Sequence, residues 1–321
     1  MKFGAVPNQS GCSWHELLDI WQELDREPGF DSLWLMDHFV SGFGQEFGSG
    51  EPCMEGWTAL AALAQATSRV RLGILVTGNT YRQPAVLAKQ ATTVDHISGG
   101  RLNFGIGAGW HEYENQAFGL GLPPVKERMD RLEESVHLIK LLWTEPRPSF
   151  AGKYYSLDRP PYNPPNLQSA SGGHPPILIG GGGEKRTLRI VAKYADIANV
   201  SGTPDEVRHK FAVLDGYCKE IGRDPKSIRR TILVPLFLSE KESFKQRVLQ
   251  GMAAATGRTP EEAAKSILLG NVAEVKQQVA GFRDAGVEEM YLALWPRFLR
   301  EPVIHFAREI IPEFADMPGG K

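Results

Sequence analysis

Eight short apolar or β-branched runs punctuate the chain, at Lys2–Pro7, Ser32–Asp37, Val70–Gly78, Leu102–Gly109, Pro176–Gly181, Asp196–Ser201, Arg230–Leu238 and Glu289–Trp295. Between them lie segments with apolar residues at offsets of three and four, the period of a helix that buries one stripe. Trp14, Leu17, Leu18, Trp21 and Leu24 form such a stripe behind Ser13, whose hydroxyl suits an N-cap. Gln83-Pro84 opens another helix, with proline where its missing N–H costs nothing, and Ser98-Gly99-Gly100 stops it. Thr203-Pro204-Asp205-Glu206 and Thr259-Pro260-Glu261-Glu262 each combine a threonine cap, a first-turn proline and a capping-box glutamate. Strands alternating with helices predict parallel pairing, because a parallel crossover must run back across the sheet.

An open doubly wound sheet shares that alternation. The first strand, however, runs into Asn8-Gln9-Ser10-Gly11-Cys12, which lacks the glycine spacing that seats a pyrophosphate on the first helix of such folds. A single domain over residues 1–321, a closed (β/α)8 barrel of the TIM type, is therefore the expectation. Three segments exceed ordinary connectors, at 39–56, 146–175 and 241–259. They are expected as insertions at the carboxyl-terminal face of the barrel, gripping the substrate.

Composition narrows the function classes. The net charge of −2 leaves no broad basic surface for a nucleic-acid backbone. Cys12, Cys53 and Cys218 are odd in number and widely spaced, which predicts reduced thiols and neither a disulfide framework nor a zinc site. No apolar stretch approaches the roughly 20 residues that span a bilayer, and the amino terminus lacks the features of a signal peptide. Cytoplasmic residence without membrane contact is expected. The histidines sit at no metal-ligand spacing, so no metal is predicted, and no Gly-x-Ser-x-Gly elbow is present.

Four places could carry chemistry. Asp37-His38 ends the second strand, where polar groups of a barrel point into its mouth; the pair reads equally as a proton-transfer site or as a buried hydrogen-bonded pair shaping the loop. Leu75-Val76-Thr77-Gly78-Asn79 closes the third strand, either as a ridge for a flat ring or as plain strand and loop. Gly105, Gly107 and Gly109 alternate along the fourth strand and lead to Trp110, His111, Tyr113 and Glu114, suggesting a pocket wall as well as tight packing. Gly180-Gly181-Gly182-Gly183 links an apolar strand to the amino terminus of a helix, an arrangement whose open amides and dipole suit a phosphate. Lys185, Arg186 and Thr187 stand where they could assist.

Taken together, Gly29-Phe-Asp-Ser-Leu-Trp-Leu-Met-Asp-His-Phe39, Thr80-Tyr-Arg-Gln-Pro-Ala-Val-Leu-Ala88, Ile97-Ser-Gly-Gly-Arg-Leu102 and Gly105-Ile-Gly-Ala-Gly-Trp110 resemble the luciferase-like monooxygenase superfamily, in its order and spacing across the chain. Asp37-His38-Phe39 is similar to the branch that uses the deazaflavin coenzyme F420. The resemblance implies a tricyclic ring in the barrel mouth with its phosphate at Gly180–Gly183. It implies His38 as a proton donor or ring partner beside the ring edge, with Asp37 orienting it or contacting the ring side, and a non-prolyl cis bond at Leu75–Val76. Thr77 would reach the pyrimidine side, and Gly107, Ala108, Trp110 and Tyr113 would line the ring or ribityl chain. Sugar-phosphate dehydrogenases of that branch carry a glutamate where Trp110 stands, so their chemistry does not transfer and a more apolar small-molecule substrate is expected.

The leading expectation is thus an F420-dependent oxidoreductase that moves a hydride to or from the cofactor. The alternatives are an FMN-dependent monooxygenase supplied by a separate reductase, and a non-catalytic barrel that binds without turnover. A homodimer through the apolar segment Trp57–Ala66 is also expected, although the same segment suits a helix packed on its own barrel.

Overall fold

A computed structural model describes residues 1–7, 9–41, 50–171, 173–294 and 300–315. Of the features expected from sequence, Asn8, Trp295 and residues 42–49 of the first insertion lie outside the described residues.

Eight parallel strands close on themselves: β1 (Lys2–Pro7), β2 (Ser32–Leu35), β3 (Arg71–Ile74), β4 (Leu102–Gly107), β5 (Ile177–Gly180), β6 (Ile197–Val200), β7 (Arg229–Leu238) and β8 (Glu289–Leu294). Each pairs with the next, and β8 returns to β1 in the register Lys2 with Glu289 through Pro7 with Leu294. The third run does not continue as one strand: the chain turns at a cis Leu75–Val76 peptide, and Thr77–Gly78 resumes pairing with Ile106 and Gly107 of β4.

The surrounding helices begin where their caps predict. Helix α1 (Trp14–Arg26) has the Ser13–Glu16 capping box. Helices α2 (Gly56–Ala66), α3 (Pro84–Ile97), α4 (Glu112–Ala117), α5 (Val125–Thr144) and α6 (Thr187–Tyr194) follow in order. Helix α7 (Pro204–Glu220) carries the Thr203–Glu206 box, and Thr259–Glu262 makes the same reciprocal bonds for the short helix Pro260–Ala264. In α3, Gln83 accepts from the Val86 amide, and the turn after Ser98 uses Gly99 and Gly100 at positive φ. Helix α2 buries Trp57, Leu60 and Leu63 against its own barrel. Its outward positions are Thr58, Ala62 and Gln65, so the segment expected to pair subunits spends its apolar face internally.

The barrel is plugged rather than hollow. Trp34 and Tyr291 meet inside it with ring centroids 4.8 Å apart, packed with Val6, Leu75, Leu178 and Ile197. Trp34 leaves no room for a β-carbon at Gly73, which would lie 2.6 Å from the indole. The Trp34 Nε1–H donates to Ser32 Oγ (2.9 Å), which donates to Glu289 Oε1 (3.0 Å), so the indole N–H and the Ser32 hydroxyl buried beside it are both paired. The space above this plug, at the carboxyl ends of the strands, is left for a site.

The insertions divide between the two faces, which corrects the expectation that all three crown the carboxyl-terminal one. The described parts of the first insertion, residues 39–41 and 50–56, and residues 241–259 follow β2 and β7 and do lie there, the latter largely as the helix Glu242–Thr256. Residues 146–175 join α5 to β5 and so start and end at the amino-terminal face. There Gln168 donates to the carbonyl of Leu102, the first residue of β4, and accepts from Arg71, the first of β3. Only the antiparallel hairpin Ser149–Ala151 with Ser156–Asp158 climbs α5, held at its turn by Glu134, which accepts from the amides of Lys153, Tyr154 and Tyr155.

Candidate active site

The end of β4 explains its glycines. A β-carbon at Gly105 would lie 2.1 Å from the Ile74 carbonyl oxygen, so that glycine is required by packing against β3. At Gly107 and Gly180 the obstacle is the Val76 side chain, 2.8 and 2.9 Å from where a β-carbon would be. Val76 thereby stands as a ridge between β4 and β5 and faces a cavity of about 430 Å³ at the barrel mouth. That volume lies within the range of small-molecule sites, ~300–1,000 Å³.

This one cavity brings together most of the expected residues. Asp37, His38, Leu75, Val76, Thr77, Gly107, Ala108, Trp110 and all of Gly180–Gly183 line it. Its remaining described wall is largely apolar, from Val6, Met36, Leu233, Ala293 and Leu294, and no described lysine or arginine lines it. Tyr113 is not brought in; it is 54% exposed on α4 and absent from the lining. Trp110 overhangs the mouth, its ring stacked on His111 at 4.9 Å and edge-on to His38 at 5.6 Å.

Asp37 is fully committed. Arg82 grips its carboxylate at two points, Nη1 to Oδ2 at 2.6 Å and Nη2 to Oδ1 at 3.0 Å, and the Gly78 amide donates to Oδ2 at 3.2 Å. Burial pushes the Asp37 carboxyl upward and the guanidinium opposes it, while Asp37 and Glu55 hold Arg82 above its ordinary value against its own burial. The pair thus ties the end of β2 to the bulge after β3. Thr77 is engaged as well, its hydroxyl accepting from Trp57 Nε1 at 2.9 Å.

His38 has a different partner. Its Nδ1 lies 2.9 Å from Oε2 of Glu114, a residue with no exposed surface. Glu114 Oε2 also accepts from the Tyr81 hydroxyl, and its Oε1 from the amides of Phe39 and Val40. Burial works against the Glu114 charge, but His38, Tyr81 and the Phe39 amide outweigh it and hold the carboxyl down at about 2. Burial and Glu114 push the Tyr81 phenol upward, so Tyr81 is the donor. Sequence placed Glu114 near the pocket wall only as one of several polar residues beyond Trp110. Its position as the second residue from the end of a helical first turn gave no sign that it would reach back to β2.

At the glycine loop, Gly181 adopts φ +122° and its amide donates to the Asn199 carbonyl at 2.9 Å, pinning the loop to β6. Thr187 lines the cavity, but Arg186 turns to Asp130 on α5 at 2.6 Å, and Lys185 is exposed outside the lining. The cation beside the loop is Lys210 of α7: its Nζ lies 2.9 Å from where a β-carbon of Gly182 would be and donates to the Ser201 carbonyl at 2.6 Å. No local pattern around Lys210 signals this, since the contact depends on how α7 packs beside α6.

Fold and site together define a closed α/β barrel with a largely apolar cavity, a carboxylate-held histidine on one side and a glycine loop on the other. The chain belongs to the luciferase-like monooxygenase family, which it matches over residues 1–292. It is 30% identical over 322 residues to the F420-dependent glucose-6-phosphate dehydrogenase of Segniliparus rotundus, covering 90% of this chain and 91% of that one. It is 37% identical over 171 residues to the protein of the same name from Amycolatopsis mediterranei, a match spanning only 47% of that relative. Among solved structures, an F420-dependent secondary alcohol dehydrogenase in complex with an F420-acetone adduct superposes with a TM-score of 0.80 at 20% identity over 97% of both chains. The F420-dependent tetrahydromethanopterin reductase of Methanopyrus kandleri gives 0.78 at 18% identity, over 98% of this chain and 99% of that one. These two likenesses concern the fold.

Proposed function

We propose that the protein is an F420-dependent oxidoreductase acting on a small, neutral, rather apolar substrate. The observation that carries this reading is that His38, the Val76 ridge and Gly180–Gly183 line one cavity, so a flat ring and its phosphate tail have complementary places within a single site. The relatives named above support the choice of F420. The residues present fit such a group: Gly107 and Gly180 keep the wall clear of β-carbons, and the loop ends on main-chain amides.

In this reading Leu75, Val76, Thr77, Gly107, Ala108 and Trp110 border the ring. Because the Gly181 amide is bonded to Asn199, the phosphate contacts fall to Gly182 and Gly183, with Thr187 and Lys210 beside them. Bound F420 supplies hydride chemistry at the deazaflavin C5. A hydride moving to or from a neutral substrate is matched by one proton, and His38 exchanges that proton at Nε2. Asp37 acts by holding the loop, since two points of its carboxylate are taken by Arg82. Trp110 stands where sugar-phosphate dehydrogenases of the F420 branch carry a glutamate, and the described lining is largely apolar, which favours a neutral substrate over a sugar phosphate.

The reading is tested by titrating the purified protein with F420 and, separately, with FMN, and by following absorbance during turnover with alcohols and ketones. Tight binding and redox cycling of F420 is the expected result; binding of FMN alone, with oxygen consumed, would transfer the site to monooxygenase chemistry. Residence in the cytoplasm, homodimerisation and a separate reductase that recharges the cofactor belong to the same proposal. Light scattering and a coupled assay check the last two.

A further inference from the structure

Glu114 lies outside the cavity lining, yet its four donors are sorted between its oxygens in a way that bears on the proton step. The amides of Phe39 and Val40 both address Oε1, whereas His38 Nδ1 and the Tyr81 hydroxyl both address Oε2. Main-chain amides only donate, so Oε1 must be an acceptor. The Tyr81 hydroxyl is a donor beside a carboxylate. For His38 the arrangement leaves one consistent state: Nδ1 carries hydrogen and donates to Glu114, whatever the charge of the ring.

We infer that Glu114 is the positioning residue for His38, fixing the neutral imidazole as the Nδ1–H tautomer so that Nε2 is the ring nitrogen that exchanges the proton in the reaction proposed above. The inference deepens that reading but rests on the ring geometry alone. A carboxylate held low by burial-resisting donors is the appropriate acceptor, since it stays ionised throughout the range in which an imidazole changes charge. The same carboxylate links three places: the end of β2, the Tyr81 turn after β3, and α4. His38 is therefore oriented by a bond to α4 and not by its chain neighbour Asp37. When substrate gives up a proton, the bond from its oxygen to hydrogen breaks and one to Nε2 forms, giving an imidazolium whose Nδ1–H still points at Glu114; in the reverse direction the same proton returns to the substrate oxygen.

The decisive variant is Glu114→Gln. Because the Phe39 and Val40 amides require an acceptor at the Oε1 position, the glutamine oxygen is driven there and its NH2 faces His38. Nδ1 must then accept, which converts the ring to the Nε2–H tautomer. Long-range proton–nitrogen correlation spectra of histidine-15N-labelled, cofactor-free protein read this directly at a pH where the ring is neutral, with the His38 signal identified by its absence in His38→Gln. The expected results are Nδ1–H in the native protein and in Tyr81→Phe, and Nε2–H in Glu114→Gln. Turnover by Glu114→Gln should fall about 10²–10⁴-fold, with the dissociation constant for the cofactor changed less than about threefold. Native protein in the Nε2–H form, or Glu114→Gln retaining Nδ1–H, overturns the inference; if that variant does not fold, the native and Tyr81→Phe spectra decide it. Since the spectra need no cofactor, failure of F420 to bind would sink the proposed function and leave the tautomer assignment standing.

Discussion

The Val76 side chain fills the space that a β-carbon at Gly180 would need, lying 2.9 Å from its position, and comes still closer, 2.8 Å, to that of Gly107. The neighbours at both positions are branch methyls of a residue wedged between two strands, so they have little freedom to give way. Gly107→Ala and Gly180→Ala are each expected to cost about 1–3 kcal/mol, as overpacking does. Each should also weaken cofactor binding, because relief comes only by pushing Val76 into the cavity. Val76→Ala should restore much of the stability of either variant. Thermal melts and calorimetric titrations of the single and double variants measure both effects.

Asp37 and Arg82 form a buried pair, with Asp37 only 2% exposed. Removing one member leaves a charge with too few partners, which typically costs about 3–5 kcal/mol. Arg82 also contacts Glu55, so Asp37→Ala is expected near the lower end of that range. Denaturant unfolding should show the loss. Folded Asp37→Ala should keep the His38 tautomer, because the His38 bond runs to Glu114; a tautomer change in this variant would argue that the two acids act as one unit.

The barrel was legible because eight runs of period-two or fully apolar residues alternate with capped helices, and each cap is a local arrangement spanning four residues. Ser13, Thr203 and Thr259 begin their helices as their own neighbourhoods require. The strand-end residues were legible for a topological reason: once a run is a barrel strand, its last residues must face the mouth. What sequence hid were contacts between distant elements. Glu114 meets His38 across 76 residues, and Lys210 reaches the Gly182 loop from a neighbouring helix. Arg186 follows the glycines directly but turns to Asp130, 56 residues away, because α5 packs beside α6. The segment 146–175 misled for a simpler reason. Its length and composition suggested an insertion gripping the substrate at the carboxyl-terminal face, whereas its place after a helix and before a strand makes it start and end at the opposite face.

Lys210 offers a test of the glycine loop as an anion site. Its ammonium is beside Gly182 and held by the Ser201 carbonyl. Lys210→Met keeps the stem and removes the charge. For a phosphate-bearing cofactor, affinity should drop about tenfold at low salt, and the difference from the native protein should shrink as ionic strength rises, because partly exposed charges are screened over roughly 10 Å at 0.1 M. Titrations at two salt concentrations check this. An unchanged affinity at low salt would mean that main-chain amides alone hold the tail.

Acid should loosen the site before it unfolds the barrel. The Glu114 carboxyl is held near 2 in the folded protein against an ordinary value of 4.5. A depressed carboxyl stabilises the fold fully above its unfolded value, and that contribution fades as pH falls from about 4.5 toward 2. The span corresponds to about 3 kcal/mol by linkage. Asp25 shifts in the same direction: burial opposes its charge, but the amides of Ser68, Arg69 and Val70 outweigh it. Protonating Glu114 removes the charge shared by four donors and turns one oxygen from acceptor into hydroxyl; with the Phe39 and Val40 amides holding Oε1, the bonds lost are those of Oε2 to His38 and Tyr81, so the walls around His38 should open first. Melting temperatures of the native protein should fall steeply between pH 4.5 and pH 3, whereas Glu114→Gln, already less stable at neutral pH, should lose less over the same interval. Parallel pH curves for the two proteins would show that Glu114 is not the group responsible.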